Sequence, residues 1–359
     1  MAERPIASFY HADTMDLKAC NEIAETVRAI VSGLSVECFL SQNGQQVIFE
    51  LKHTNVLARS SAIMLVKQFL RHYLDQAAKM SYENLRVIAV ANEKGGVAKT
   101  TSCINLAACL AMHNRRVLLI DLDAQANATL GLGLSPGKLK FDPQELLTEP
   151  MFPLHRYIQP TEIPHLDIIP AGPSLHDANL SLVRAVGREL KLRNKIVGYL
   201  KEGTGNNYDY IVIDSPPAAD ILTLNVLMAA THLVVPVQAS FYSLSGMARL
   251  GATVESLYEA LDPKVKVLGI LVTMYDEHIP AQRAAYELLK EKLEEEYGPY
   301  LFSKTVSRSE MMQESEAGQL PIVLTHPRSQ AAEEYREVTE EILQRIEGEA
   351  NEEPLALFA

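Results

Sequence analysis

Residues 87–111 read VIAVANEKGGVAKTTSCINLAACLA, and this stretch decides the fold. It opens as a continuous apolar run of the kind that fills a strand buried on both faces. A turn holding Gly95 and Gly96 follows, and then a helix that opens with Lys99-Thr100-Thr101. Strand, glycine turn and helix together aim a helix N-terminus and several backbone N–H groups at one point, which is what a polyphosphate requires. Gly95 and Gly96 let the chain wrap a β-phosphate closely, Lys99 neutralises β and γ oxygens, and Thr100 ligates Mg²⁺ through its hydroxyl.

Working outward, short β-branched apolar runs alternate with helical patterns from Leu85 onward. The runs are RVIAVAN (86–92), RVLLIDLD (116–123), LDIIPAG (166–172), YDYIVIDSP (208–216), HLVVPVQ (232–238), KVLGILVTMYD (266–276) and FSKTVS (302–307). Helical patterns occupy 100–113, 176–201, 241–261, 280–297 and 329–347. This rhythm predicts βαβ units and a doubly wound, mostly parallel α/β sheet, with ligands beyond the carboxyl ends of the strands, where loops 93–99, 121–130 and 214–220 converge.

Residues 1–84 do not share the rhythm. A helical pattern over 15–33, two alternating segments around Asn43-Gly44 and a longer helical pattern over 55–80 predict a small αββα appendage, read as an interaction or dimerisation module. The chain therefore divides into an α+β appendage (1–84), the α/β domain (85–348) and an acidic tail (349–359).

The 359 residues carry 33 Lys and Arg against 45 Asp and Glu, a net charge of −12, which disfavours a strongly basic, constitutive nucleic-acid binder. Four cysteines, Cys20, Cys38, Cys103 and Cys109, form no Cys-x-x-Cys pair or Cys/His cluster, so neither a disulfide framework nor a zinc site is expected. With no secretory signal at the N-terminus, this points to a reducing, cytoplasmic setting. The most apolar stretch, 221–239, is broken by Asn225, His232, Pro236 and Gln238 and reads as a buried helix and strand rather than a membrane span.

The generic pattern G-x-x-x-x-G-K-[ST] is not matched, because Glu93 and Ala98 stand at its glycine positions. A second lysine, Lys94, five residues before Lys99 in KGGVAKTT, resembles instead the deviant Walker A motif of the ParA/MinD family of ATPases, usually K-G-G-V-G-K-T-T. Ala98 departs from it, a mild change provided the backbone keeps a helix-starting conformation. RVLLIDLDAQANATLGLG (116–133) resembles the family's second motif, with Ala124 where proline is usual, and YDYIVIDSPPAAD (208–220) its Walker B strand and switch.

The resemblance implies an ATPase using ATP and Mg²⁺. Lys94, Gly95, Gly96, Val97, Ala98, Lys99, Thr100 and Thr101 would hold the nucleotide, with Lys94, Lys99 and Asp123 catalytic. Asp123 would orient or deprotonate the attacking water, and Asp214 would hold hydrated Mg²⁺ beside Thr100. Asp121 would contact the metal shell or a lysine. Lys94 would reach across an ATP-dependent homodimer to the partner's nucleotide. A GTPase is disfavoured, since Val272–Asp276 lacks an Asn-Lys-x-Asp guanine reader.

Cargo is read from the remaining segments. The last helical pattern (329–349) is heavily acidic, against a membrane partner. Cys103 and Cys109 read as small buried residues rather than cluster ligands. Segments 267–293 and 305–343, including SEAGQLP (315–321), resemble the ParA branch, whose dimers bind DNA without sequence preference, associate with the nucleoid and respond to a ParB-like partner. Here Glu277-His278-Ile279-Pro280 and Met311 stand where arginines are expected, leaving Arg283, Arg308 and Arg328. The basic residues of 181–201 read as a solvated helix face. Two readings stand: a ParA-like ATPase that positions DNA or another large cargo, and a nucleotide-gated regulatory or scaffolding protein that does not bind DNA.

Overall fold

The computed structural model describes residues 85–202, 208–218, 220–240, 265–297 and 300–348, the strands Phe9–His11, Ser35–Leu40 and Gln46–Lys52, and isolated positions between 21 and 29 and at 82. The chain divides into two compact units, Met1–Asn84 with Ile196–Asn207, and Leu85–Lys195 with Tyr208–Ala359.

In the first unit, β1 (Phe9–His11), β2 (Ser35–Leu40) and β3 (Gln46–Lys52) form an antiparallel sheet in the order β1-β3-β2. Ser35 pairs with Lys52 and Leu40 with Val47, a register centred on the position between Asn43 and Gly44. Those two residues lie outside the described ones, as do the helical pattern 55–80 and most of 15–33. Sequence reading missed β1, three residues too short to show an alternation.

The second unit holds a seven-stranded sheet of β4 (Arg86–Val90), β5 (Val117–Asp121), β6 (Gln159–Pro160), β7 (Leu166–Ile169), β8 (Tyr210–Asp214), β9 (His232–Gln238) and β10 (Lys266–Thr273), in the order β10-β9-β4-β8-β5-β7-β6. All neighbours are parallel except β6 with β7. Six of the seven runs expected from sequence are present as parallel strands. Every residue of β5 and β8 is buried, the reason these strands read as unbroken apolar runs. From β4 the chain moves outward to β5 and β7, returns to β8, and then passes to β9 and β10 on the other side, so its direction reverses at β4 and β8. Crevices at such a reversal take ligands beyond the strand ends.

Among the described residues the α-helices are α1 (Lys99–Met112), α2 (Asn127–Gly131), α3 (Glu145–Thr148), α4 (Leu175–Leu182), α5 (Lys191–Glu202), α6 (Ile221–Ala229), α7 (Pro280–Tyr297), α8 (Glu310–Ala317), α9 (Ile322–Thr325) and α10 (Gln330–Gly348). α1 is buried nearly all round, packed between the sheet and α10, with the Ser102 hydroxyl 3.2 Å from that of Tyr335. α10 turns Ala331, Tyr335, Val338, Ile342 and Ile346 into this core. Its apolar stripe is thus already covered, and among the described residues no helix is long and apolar enough to cross a membrane.

Two expected elements differ. Segment 302–307 is not a strand: it touches β10 through two parallel bridges, Ile270–Leu301 and Tyr275–Ser307. Between them the Ser303 N–H and hydroxyl donate to Glu341 (2.9 and 2.6 Å), drawing the chain off the sheet edge. The helix expected over 176–201 is split into α4 and α5. Gly187 takes a left-handed φ of 59°, and the Asn225 side chain accepts from the Leu192 N–H and donates to the Arg188 carbonyl across the break. The expected basic face is split with it: Arg188 pairs with Glu189, and the Lys195 ammonium is buried against the carbonyls of Glu149 and Phe152. The pattern over 241–261 and the tail lie outside the described residues.

Candidate active site

The loop Asn92–Ala98 leaves β4 and is held by residues far away in the chain. The Asn92 amide donates to the Pro236 carbonyl (2.8 Å), and its oxygen accepts the Lys94 N–H (2.9 Å). Gln238 at the end of β9 donates to the Gly96 carbonyl (2.8 Å), and the Thr273 hydroxyl at the end of β10 shares its proton between the Val97 and Val237 carbonyls (3.1 Å each). These bonds occupy carbonyls that would otherwise repel an anion in the loop.

Gly96 has φ +72°, a conformation that suits glycine. Ala98, at the N-cap of α1, has φ 58° and ψ 33°. Its backbone is therefore left-handed rather than helix-starting, and its methyl costs about 1–2 kcal/mol there. No side chain caps α1, so the amides of its first turn stay available to an anion. Lys99 is buried, and its ammonium donates to the Lys94 carbonyl (2.9 Å). Burial pulls the Lys99 pKa down, against the opposing pull of Asp214 and Asp123. The Lys94 side chain has no hydrogen-bond or ion-pair partner among the described residues.

The carboxylates gather because the strand register gathers them. Asp214 pairs with Val90 across β4 and with Asp121 across β5, at the carboxyl ends of all three strands. Asp214 is fully buried. Its Oδ1 accepts from Cys103 Sγ (3.5 Å), while Oδ2 has no partner, and nor does the buried Ser215 hydroxyl beside it in the chain. Burial, and then the charge on Asp121, push the Asp214 pKa up. The Thr100 hydroxyl lies near enough to favour the charged form without a well-formed hydrogen bond.

Sequence reading puts Asp121 in the metal set, but both of its oxygens are engaged elsewhere. Oδ1 accepts the Asp123 N–H (3.1 Å), and Oδ2 accepts the Thr129 N–H (2.9 Å) and hydroxyl (2.7 Å). Asp121 thus pins the turn that carries Asp123 and the start of α2. The next bond in that turn is the Gln125 N–H to Asp123 Oδ1 (3.0 Å), and Ala126 closes it at φ 55°.

A buried carboxylate oxygen that no protein group meets is costly unless a cation or solvent reaches it. Asp214 Oδ2, the adjacent Thr100 hydroxyl and the uncapped helix fit a hard divalent ion that is otherwise held by phosphate and water. Among the described residues no group of three His, Cys, Asp or Glu forms a dedicated metal cage, and Mg²⁺ on a polyphosphate needs none. Beside the loop a cavity of about 430 Å³ is lined by Thr100, Thr101, Asn105, Glu316, Leu320 and Pro321 among others.

A family model described as an AAA domain matches residues 85–267. The chromosome partitioning protein ParA of Myxococcus xanthus is 36% identical over 260 residues, covering 72% of this chain and 88% of that protein. The sporulation initiation inhibitor protein Soj of Bacillus subtilis is 35% identical over 257 residues, 72% of this chain and 98% of its own. The chain belongs to the ParA/MinD family. A cobyrinic acid a,c-diamide synthase of Mycobacterium smegmatis, solved with bound ADP and magnesium, superposes with a TM-score of 0.62 at 30% identity, over 76% of this chain and 99% of that one.

For a ParA/MinD protein, the loop residues, Asp123 and Asp214 sit together at one end of the sheet, and the arginines do not. Arg283, Arg308 and Arg328 are exposed on the surface beyond β10. Arg328 lines an open cleft with Glu277, Glu333 and Glu337, and Lys304 is spent on Glu337 (3.1 Å). Met311 is 43% exposed in the first turn of α8. The residues to which sequence reading gave no role at the site are Asn92, Cys103, Thr129, Gln238 and Thr273, of which Thr129 lies within the second motif. Only their side-chain type, a small polar group at a strand end or on a buried helix, marks them.

Proposed function

We propose that the chain is a ParA-like ATPase that binds ATP with Mg²⁺, dimerises around it, hydrolyses it slowly and so positions a large cargo. The observation that carries this reading is the buried Asp214 carboxylate with one bare oxygen, set between Lys99 and Thr100 beneath an uncapped helix. ATP and magnesium enter by way of the relative solved with ADP and magnesium, and cargo positioning by way of the partitioning relatives.

In this reading the loop amides and Lys99 take the phosphates, and Lys99 gives up the Lys94 carbonyl to do so. The cavity lined by Asn105 and Pro321 takes the nucleoside. Asp123, held by the Asp121 turn, orients the attacking water, and Asp214 and Thr100 would hold Mg²⁺. The metal supplies charge neutralisation on the transferred phosphoryl group. Lys94, with no partner of its own, reaches the nucleotide of the second subunit. Phosphate release with and without EDTA, together with the mass in solution with ATP and with ADP, tests this. Mg²⁺-dependent turnover and an ATP-dependent dimer are expected, and a monomer in both states would overturn the dimer.

The resemblance to the ParA branch further suggests non-specific DNA held by the dimer and a ParB-like partner as stimulator, and the chromosome-partitioning relative supports a positioning role of that kind. One observation favours the second reading, a nucleotide-gated scaffold that does not bind DNA: the cleft holding Arg328 also holds Glu277, Glu333 and Glu337. Gel retardation with ATP over a salt series separates the two, since a DNA-binding dimer retards DNA at low salt and a scaffold does not.

A further inference from the structure

One polar contact at the base of the site belongs to no motif. Cys103 lies on α1 four residues after Lys99 and three after Thr100, so it shares their face one turn deeper. It is fully buried, and its Sγ lies 3.5 Å from Asp214 Oδ1 and 3.7 Å from the Ile213 carbonyl oxygen. An alanine would fill most of that space, and what the cysteine adds is a donor. The other donor near the carboxylate, Thr100, makes no well-formed bond to it, and Oδ2 is left bare and buried.

We infer that Cys103 is a positioning residue for the metal-holding carboxylate: its S–H holds Asp214 Oδ1 and so fixes Oδ2 as the oxygen offered to hydrated Mg²⁺. The inference rests on the proposed role of Asp214. The thiol touches neither metal nor nucleotide and acts only through the orientation of the carboxylate. Without the donor, the carboxylate is free to rotate about its Cβ–Cγ bond and presents either oxygen, so the site must order it anew each time the ion binds.

The test measures affinity for a fluorescent ADP across a Mg²⁺ titration and in EDTA, for the full chain and for Cys103→Ala and Cys103→Ser. The half-saturating Mg²⁺ concentration is expected to rise about fivefold in Cys103→Ala, the equivalent of one weak hydrogen bond. ADP affinity in EDTA should be unchanged, and Cys103→Ser, which keeps a donor, should stay within about twofold of the parent. Should Cys103→Ala fail to fold, Cys103→Val removes the donor while filling the space. If the donor-free variant and Cys103→Ser show the same Mg²⁺ dependence while the parent protein depends on Mg²⁺, the positioning role is wrong and the site reading stands. If the parent shows no Mg²⁺ dependence, both fail.

Discussion

The carboxyl ends of β4, β8 and β5 and the surface beyond β10 belong to one compact unit, yet they are built by different rules. At the strand ends, Lys99, Asp121, Asp123 and Asp214 are buried, and the register of the parallel pairs fixes their spacing. Beyond β10, Arg283, Arg308 and Arg328 are exposed, and the cleft that Arg328 lines carries Glu277, Glu333, Glu334 and Glu337 against a single lysine, Lys304. A buried charge that loses its geometry destabilises the whole unit, whereas an exposed one is replaced at little cost. In the proposed function, the phosphate site would therefore be anchored by the fold, while the surface offered to a cargo would be free to vary.

The largest effect should come from the buried end. Lys99→Ala is expected to lower phosphate release from ATP by about 10²–10³-fold, the usual loss on removing a charge-stabilising donor. Asp123→Ala should lower turnover by about 10²-fold or more while ATP affinity stays within about threefold, because orienting a water is not part of nucleotide binding. If Asp123→Ala weakens binding as strongly as turnover, Asp123 belongs to the binding set.

The exposed end should respond through salt. If three arginines per subunit meet DNA phosphates, log K against log salt falls with a slope no steeper than about −3 per subunit, and Arg308→Glu removes most of the retardation at low salt. A flat salt response would assign this surface to a protein partner.

A smaller effect separates the ends by pH. Burial, with each carboxylate facing the charge of another, pushes Asp214 well above and Asp121 above their ordinary value of 3.8 in the folded protein. The folded state then binds more protons than the unfolded one. The stability these groups contribute is full below the unfolded value and is lost as pH rises through the folded values. The melting temperature of the ligand-free protein should fall between pH 4 and 8, and Asp214→Asn should flatten that fall. At pH 8 the variant should melt higher, by about 2–4 °C for each ~1 kcal/mol relieved. The smallest effect is local: Ala98→Gly relieves the left-handed alanine, the chain entropy of glycine offsets about half of that gain, and the melting temperature should rise by about 1–4 °C.

The same contrast explains what could be read in advance. The six parallel strands and the helices 280–297 and 330–348 announce themselves by unbroken apolar runs or helical periodicity. The phosphate loop announces itself because its parts are contiguous. The groups that hold the loop are not: Cys103 meets Asp214 across 111 residues, Gln238 meets Gly96 across 142 and Thr273 meets Val97 across 176. No local pattern encodes such pairs. The break at Gly187 and the detour at Ser303 escape for the same reason, since each is decided by one distant side chain, Asn225 or Glu341. Asp121 shows a further limit, because a motif marks an aspartate at a strand end without saying which oxygen is free.

The bonds from Gln238 and Thr273 also make the loop a mechanical partner of the turn that follows β10. Thr273 ends that strand, and the next residue, Met274, is itself left-handed at φ 53° with its sulfur 3.6 Å from the Gln238 amide. Two bonds thus carry tension from the Met274–Asp276 turn to the Gly96 and Val97 carbonyls without passing through α1. A ligand in the loop that shifts those carbonyls must strain or release the turn, and a partner gripping the turn works on the loop by the same amount. If the proposed function holds, the nucleotide and the cargo would work on two ends of one lever, with the left-handed Ala98 and Met274 at its bends.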